Sequence, residues 1–401
     1  MKKVKVLFTF YALPPYLIAL LNELSKKLEV IVILPEKSQI TKGKNVFEEH
    51  DNAEFKIIRL PQKKHWLTRK EILVDIKTKI KSIQPDYLIT CWPYVLQIAF
   101  DFFFRKSLKS LRIQWGLKHI PYQIPYYNHA MQFYKTKGIF DENLNVEKAD
   151  TFLKYCKFYI LKELNKFLFN SAEFHFCYLS ESPKILESYG VNPQNVIVTY
   201  NSGDTPKLLK AYEYAKNQIE ELDSKFRFIF VGRLVKWKKV DQLIHTFSNL
   251  VSKYQNVELI IVGEGPELVN LRLLVEKLNL ADFVIFTGGI FDPLNLAKQF
   301  YKSHVFVLTG AGGLAINDAM TFGKPVICTY ADGTEKDLVI PEKTGFIYEN
   351  EDELEKYMEY FINNPSKAME MGKNAQNKIL TEINLHTVAE KYLNFILNNH
   401  K

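Results

Sequence analysis

The sequence predicts an α/β protein of two Rossmann-like, doubly wound domains, each built on a parallel sheet. Three observations predict it. The chain has 401 residues, more than one ordinary core accommodates, and its hydrophobic fraction of 47% can fill two. Short β-branched apolar runs alternate with longer amphipathic segments from end to end, the signature of βαβ units. The alternation pauses at a polar stretch, 206–224, and then restarts.

In the first half, Val4–Phe10 and Val30–Leu34 read as strands, with a helix from about Tyr16 to Lys27 between them. Phe55–Leu60, Tyr87–Thr90, Leu111–Trp115, Phe174–Leu179 and Val196–Tyr200 continue the series. Residues 206–224 are polar, helical and acidic toward their end, and they read as the linker. Beyond it, strands are expected at Phe226–Val231, Val257–Val262, Phe283–Phe286, Val305–Leu308 and Pro325–Cys328. Helices are expected at about Val240–Tyr254, Pro266–Leu278, Pro365–Glu382 and Leu385–Asn398. The division is therefore 1–205, linker 206–224, second domain 225–380, and a terminal helical segment 381–401 packing back toward the first domain.

Charge is divided unevenly. Residues 1–205 carry 30 Lys and Arg against 20 Asp and Glu, and the rest carries 23 against 25. A basic half points to an anionic partner such as a membrane surface, a phosphorylated lipid or an acidic glycan. Basic and aromatic residues interleave across Phe100–Lys137 and again across Phe152–Phe169. With no nucleic-acid fold signature, this favours a lipid surface over nucleic acid; the alternative is buried aromatics beneath solvated lysines. Cys91, Cys156, Cys177 and Cys328 stand far apart in apolar stretches and read as reduced, buried thiols of a cytoplasmic protein. Lys5 and Pro14-Pro15 interrupt the N-terminal apolar run, which reads as a strand and not as a leader. The best membrane-span candidate, Tyr87–Phe104, contains Pro93 and Asp101 and divides into a strand and a helix.

The chemistry concentrates in the second half. Phe226–Val231 runs into Gly232, Arg233 and Lys238, and ligands bind beyond the carboxyl ends of such strands. Arg and Lys there suit a diphosphate, one as a bidentate donor and one as a point charge; a solvated basic turn is the alternative. Gly263-Glu264-Gly265 lacks the third glycine of a dinucleotide fingerprint and reads as a tight strand-to-helix turn. Val305–Leu308 meets a turn containing Gly310, Gly312 and Gly313, then a short helix from about Leu314 to Phe322, stopped by Gly323. Free amides at that helix start make an anion site. Asp318 on this helix could hold ribose hydroxyls or could simply favour the helix dipole. No P-loop, no Asp-x-Asp pair and no Cys/His cluster occurs, so no metal site is expected.

These segments together resemble glycosyltransferase family 4. Its strand-Gly-Arg-Leu-x3-Lys element is matched by Gly232, Arg233, Leu234 and Lys238. Its Val-Gly-x-Gly-Pro strand end is matched by Val262–Pro266, and its Phe-x-Gly end by Phe286 and Gly288. Its Gly-Leu-x3-Glu-Ala-Met-x2-Gly-x-Pro-Val-Ile element is matched by Gly313–Ile327, with Asp318 for Glu. The match covers about residues 170–385; the first 170 resemble the family in layout. The family's two glutamates, eight positions apart, fall on Gly310 and Asp318, and its usual glycine after the phosphate lysine is Lys239. A capsule- and polysaccharide-type subset also lacks the first glutamate and carries a Tyr-Asn-Ser-x-Asp stretch like Tyr200–Asp204.

The resemblance implies the GT-B fold, two Rossmann-like domains facing a cleft, and transfer of a sugar from a nucleoside-diphosphate sugar with retention and without a metal or other cofactor. Arg233 and Lys238 would stabilise the leaving diphosphate, with amides near Gly312, Leu314 and Ala315 assisting. Asp318 would hold the ribose, and Gly289–Ile290 would lie against the base. On the acceptor side, Tyr11 and Pro14 follow the first strand, while Trp115, Lys118 and His119 end another. His119 could relay a proton or touch the donor sugar, or be structural. Asn201 and Asp204 could line the site or cap a turn. The implied partners are the nucleotide sugar, a glycan or lipid-linked acceptor and an anionic membrane surface. The implied location is cytoplasmic, at the inner face of the cell membrane. Two rival readings remain: a nucleotide-sugar epimerase of the same architecture, and a non-catalytic scaffold that binds sugar nucleotides.

Overall fold

The computed structural model describes residues 3–36, 52–64, 71–118, 124–140, 146–219 and 223–400. The chain divides into two compact units, residues 1–200 with 388–401, and residues 201–387. Residues 205–218 of the expected linker form a helix inside the second unit, so the chain leaves the first unit earlier than the composition shift suggests.

In the first unit the strands are β1 (Lys5–Thr9), β2 (Glu29–Pro35), β3 (Lys56–Leu60), the hairpin β4 (Gln62–Lys64) and β5 (Glu71–Leu73), β6 (Tyr87–Thr90), β7 (Gln114–Lys118), the hairpin β8 (Ile139–Phe140) and β9 (Val146–Glu147), β10 (Phe174–Cys177) and β11 (Val196–Val198). The helices are α1 (Pro15–Ser25), α2 (Ile76–Ile83), α3 (Val95–Ala99), α4 (Phe102–Ser110), α5 (Ala130–Thr136), α6 (Phe152–Ser171) and α7 (Ser182–Ser188). Among the described residues seven strands make a parallel sheet in the order β11-β10-β7-β6-β1-β2-β3. The order reverses between β1 and β6, which places the segment after β1, with Tyr11 and Pro14, at the switch point.

The strand expected at Leu111–Trp115 lies three residues later. Asp101 caps α4 by accepting from the Phe104 amide at 2.8 Å, and Arg112 takes a left-handed φ of 57° that turns the chain before β7 begins. Trp115 is thereby an interior strand residue. It is buried in the core, and its indole donates to Thr90 Oγ1 at 2.9 Å. Its expected place on the acceptor side is corrected: a core ring bonded to a neighbouring strand is not offered to a ligand.

The last helix, α16 (Leu385–Asn398), belongs to the first unit from Val388 onward. There Tyr392 packs 4.3 Å from the Phe176 ring and Phe395 packs 4.8 Å from Phe174. The Tyr87 hydroxyl donates to the Ile396 carbonyl at 3.0 Å. Val388, Tyr392 and Ile396 of this helix are therefore part of the first core.

The second unit contains α8 (Thr205–Gln218), β12 (Phe226–Val231), α9 (Val240–Lys253), β13 (Val257–Val262), α10 (Leu268–Lys277), β14 (Val284–Gly288), α11 (Pro293–Lys302), β15 (Val305–Leu308), α12 (Gly313–Thr321), β16 (Val326–Thr329), α13 (Thr334–Leu338), β17 (Gly345–Tyr348), α14 (Glu351–Asn363) and α15 (Pro365–Glu382). Its described strands form a parallel sheet in the order β14-β13-β12-β15-β16-β17. β12 and β15 are almost wholly buried, as strands covered on both faces should be. β17 was not expected from sequence; its four residues give too little pattern to separate it from a loop.

A buried amide ties this unit together. Asn317 Oδ1 accepts from the Gly203 amide at 3.2 Å and from Ser202 Oγ at 3.3 Å, while its Nδ2 donates to the Ile383 carbonyl at 2.9 Å. Asp204 caps α8 by accepting from the Lys207 amide at 3.2 Å, which is the capping role and not a ligand contact.

Candidate functional site

The sheet of the second unit reverses its order between β12 and β15. Ligands of open α/β sheets bind outside the carboxyl ends of the strands at such a point. Gly232 and Arg233 leave the end of β12, and Thr309 and Gly310 leave the end of β15. The residues predicted to hold the diphosphate thus come from two adjacent strand ends, while Gly289 and Ile290 follow β14.

After β12 the chain passes buried Leu234, makes a single 3-10 turn at Lys236–Lys238 and enters α9. Two bonds tie this loop to β15: Thr309 Oγ1 donates to the Lys238 and Lys239 carbonyls, at 2.8 Å in each case. The backbones then approach closely. A Cβ on Gly310 would stand 2.1 Å from the Trp237 carbonyl oxygen and 2.7 Å from Lys238 Cα. No side chain fits there without moving main chain.

Lys238 is held in this junction. Its ammonium donates to the Ala311 carbonyl, and a Cβ on Gly312 would lie 2.5 Å from it. Burial pushes its pKa down to about 8, and the Asp332 carboxylate partly opposes the fall. Arg233 is half-buried, and burial lowers its pKa from the ordinary value. Neither cation forms an ion pair among the described residues. Two desolvated positive groups, only one of them partly offset by a carboxylate, are costly unless an anion joins them.

The helix start supplies donors. Gly312 caps α12, and the amides of Gly313 and Leu314 have no acceptor among the described residues. The Ala315 amide is already bonded to the Gly312 carbonyl at 3.0 Å. Its expected part in the anion site is corrected, because the first turn closes on it. A Cβ on Gly313 would lie 2.2 Å from Thr334 Oγ1, and Thr334 donates to Asp332 Oδ1. The Asp332 turn therefore abuts the glycine-rich loop. Glu335 shapes that turn by accepting from the Ala331 and Gly333 amides at 3.0 Å.

Asp318, one turn deeper in α12, points Oδ1 into the protein. That atom is buried without a hydrogen-bond partner, and a Cβ on Gly203 would lie 2.4 Å from it. Burial raises its pKa to about 7. At the end of β14, Glu264 Oε1 accepts from the Gly289 amide at 3.3 Å, so Gly289 and Ile290 stand next to the β13 turn. Gly263 and Gly265 serve backbone contact: Cβ atoms there would lie 1.9 Å from Gly232 O and 2.2 Å from Leu234 O. This is the tight-turn reading of the Gly-x-Gly.

The structure thus brings Gly232, Lys238, Gly310, Gly312 and Gly313 together. Thr309, Asp332 and Thr334 belong to the same cluster, and no motif marked them beforehand. Only the Asp332-Gly333-Thr334 turn directly after a strand could have drawn notice.

In the first unit, Tyr11 packs against the core and Pro14 stands at the N-cap of α1. Lys118 is buried at the end of β7. Its ammonium donates to the Tyr392 hydroxyl and lies 4.6 Å from the Tyr178 ring centroid. His119 lies outside the described residues. All four cysteines are free; Cys91 and Cys156 are half-buried, whereas full burial was expected.

Two Rossmann-like units, each doubly wound on a parallel sheet, define the GT-B class. The fold agrees with that of the Anabaena protein Alr3699/HepE, whose structure holds UDP and glucose: TM-score 0.68 at 16% identity over 99% of this chain and 100% of that one. Residues 212–378, most of the second unit, match the model of the glycosyl transferases group 1 family. The alpha-monoglucosyldiacylglycerol synthase of Acholeplasma laidlawii is 25% identical over 213 residues, 50% of this chain and 53% of the relative. The capsular polysaccharide biosynthesis glycosyltransferase CapM of Staphylococcus aureus is 28% identical over 197 residues, 45% and 49% of the two chains. The chain spans about half to two thirds of the length of the curated relatives it matches.

The Gly310 approach has a measurable consequence. Gly310→Ala should force the Trp237–Lys238 backbone away and cost about 1–3 kcal/mol of stability, as overpacking does. Urea unfolding checks it; a wild-type midpoint would show that the two loops are not in contact.

Proposed function

We propose that the chain is a glycosyltransferase that moves a sugar from a nucleoside-diphosphate sugar to a glycan or lipid-linked acceptor of cell-surface polysaccharide or glycolipid assembly, with retention at the anomeric carbon. One observation carries the reading. Arg233 and Lys238, both desolvated and neither in an ion pair among the described residues, follow β12 at the switch point, and the Lys238 ammonium lies beside Gly312 at the start of α12. That arrangement suits a group carrying two negative charges better than a neutral sugar or a cation.

The residues divide the work by chemistry. As the bond to the anomeric carbon lengthens, negative charge gathers on the departing diphosphate. Arg233 and Lys238 stabilise that charge, and the Gly313 and Leu314 amides add fixed dipoles. Lys238 is held by its bond to the Ala311 carbonyl before substrate arrives, so little reorganisation of that charge opposes the step. Asp318 keeps Oδ1 against Gly203 and would meet ribose hydroxyls through its other carboxylate oxygen. Glu264, Gly289 and Ile290 border the place for the base. No metal is assigned, because no Asp-x-Asp pair occurs in the sequence.

Arg233→Ala and Lys238→Ala should each weaken UDP binding roughly ten- to a hundredfold, the loss of a charge-assisted contact of about 1.5–3 kcal/mol. Calorimetric titration measures this, and unchanged affinity in both variants would remove the diphosphate assignment. Product analysis with and without acceptor separates transfer from epimerisation.

The two shifted groups set a pH window. Asp318, raised to about 7, accepts hydroxyl donors best when ionised, so UDP affinity should rise as pH increases through 7. Lys238, lowered to about 8, loses its charge above that pH, so affinity should fall again. A bell-shaped affinity profile is expected, and Asp318→Asn should remove its acid limb; a flat profile from pH 6 to 9 contradicts both roles.

Transfer should also persist in EDTA. Complete loss in chelator, restored by Mg²⁺ or Mn²⁺, would move leaving-group stabilisation from the two cations to a metal.

A further inference from the structure

Helix α6 is apolar on two faces. Phe158, Leu168 and Phe169 are buried in the first unit. A second stripe, Leu153, Ile160, Leu164 and Phe167, is 80%, 57%, 42% and 43% exposed. Their spacing of seven, four and three residues sets them along one side of the helix. Phe102 and Phe103, which open α4, are 63% and 83% exposed. Phe100 joins the two helices by stacking on Phe167 at 5.3 Å between centroids, and the Arg105 guanidinium lies 5.6 Å over the same Phe167 ring. The exposed apolar surface is therefore one patch and not scattered residues.

Its border is cationic. The two helices carry seven Lys and Arg against one acidic residue, Glu163. Glu163 is engaged by Lys162 at 3.1 Å and by the Tyr127 hydroxyl at 2.8 Å. The nearby Glu147 and Asp150 are paired with Lys157 and Lys154, and Asp101 with Lys77. Arg105, Lys106, Lys109 and Lys166 form no ion pair among the described residues. The patch thus presents uncompensated positive charge around bare aromatic and aliphatic side chains.

We propose that this face of α4 and α6 docks on an anionic lipid bilayer, its aromatic and aliphatic side chains entering the headgroup region and its cations resting on lipid phosphates. The chemistry selects this occupant. A second copy of the chain would bring like charge against like charge. A nucleic acid would meet the cations but leave Leu153, Ile160 and Leu164 in water. A bilayer satisfies both parts of the patch. No helix among the described residues is long and apolar enough to cross a membrane, so the contact lies on the surface. The inference does not depend on the donor site, since the patch and the switch point belong to different units.

The test is co-sedimentation of the full chain with phosphatidylcholine vesicles and with vesicles containing phosphatidylglycerol, at low and high salt. Binding is expected only to the anionic vesicles, reduced but not abolished by salt. Each cation at the surface is worth about fivefold, the equivalent of about 1 kcal/mol. Lys106→Glu with Lys109→Glu should therefore lower binding by roughly twenty-five-fold or more. Phe103→Ser with Leu153→Ser should lower it at both salt concentrations and remove the salt-resistant part. These residues are exposed, so both variants should fold and bind UDP as the wild type does. Absence of binding to anionic vesicles at low salt, or wild-type binding by both variants, would overturn the proposal. So would a dimer in sedimentation equilibrium that Phe103→Ser with Leu153→Ser dissolves while vesicle binding is unchanged.

Discussion

The contact on which the site depends is a meeting of two backbones. The loop leaving β12 and the turn leaving β15 approach so closely that Gly310 has no room for a Cβ beside the Trp237 carbonyl. Only because of this approach does the Lys238 ammonium reach the Ala311 carbonyl and lie beside Gly312. Parallel strands bring their carboxyl ends to one side of a sheet, and the reversal of order leaves a gap between the following helices. A long cationic side chain placed there is desolvated by main chain on both sides. The glycines of the turn are consequently a packing requirement before they are anything else.

That packing determines the electrostatics. The Lys238 charge is destabilised by burial, and Asp332 is the charged group that offsets it. The Asp332 carboxylate is itself occupied, with Oδ1 accepting from the Thr334 amide and hydroxyl. Arg233 has no such relief. A site built this way is short of negative charge by construction, and its deficit is met most fully by a ligand. The same burial acts in reverse on Asp318, whose charged form is disfavoured until something donates to the carboxylate. The opposite shifts of Lys238 and Asp318 have one kind of cause, burial that disfavours whichever form is charged.

Much of this was legible in the sequence, and the reasons differ by element. β12, β13 and β15 are continuous apolar runs bounded by glycine or polar residues, so their position and the loops after them followed directly. The positions of Arg233, Lys238 and the glycine-rich turn beyond their strands were legible because a strand end is a physical location. Trp115 was misplaced because the strand start was taken from the apolar Leu111, whereas the left-handed turn at Arg112 postpones it. Nothing in the local pattern of an arginine announces that conformation. Asn317 looked like any helix residue, and its three bonds reach segments distant in the chain. Asp332 and Thr334 were missed for the same reason: their role arises from where β16 ends relative to β15.

The departures from the family pattern belong together when seen as backbone geometry. Where the family usually has a glycine after the phosphate lysine, this chain has Lys239, yet Lys239 adopts a φ of 50°, the left-handed region that glycine favours. A side chain there costs about 1–2 kcal/mol, so the turn must be held by something else. Thr309 supplies it, its hydroxyl shared between the Lys238 and Lys239 carbonyls, one on each side of the Lys239 Cα. The next residue is Gly310, where the family's first glutamate would stand, and its lack of a side chain is what lets Thr309 come close enough to make those bonds. The left-handed turn at Lys239 and the close approach at Gly310 therefore support one another: the bare Gly310 backbone leaves room for the loop, and Thr309 holds the loop in its left-handed conformation.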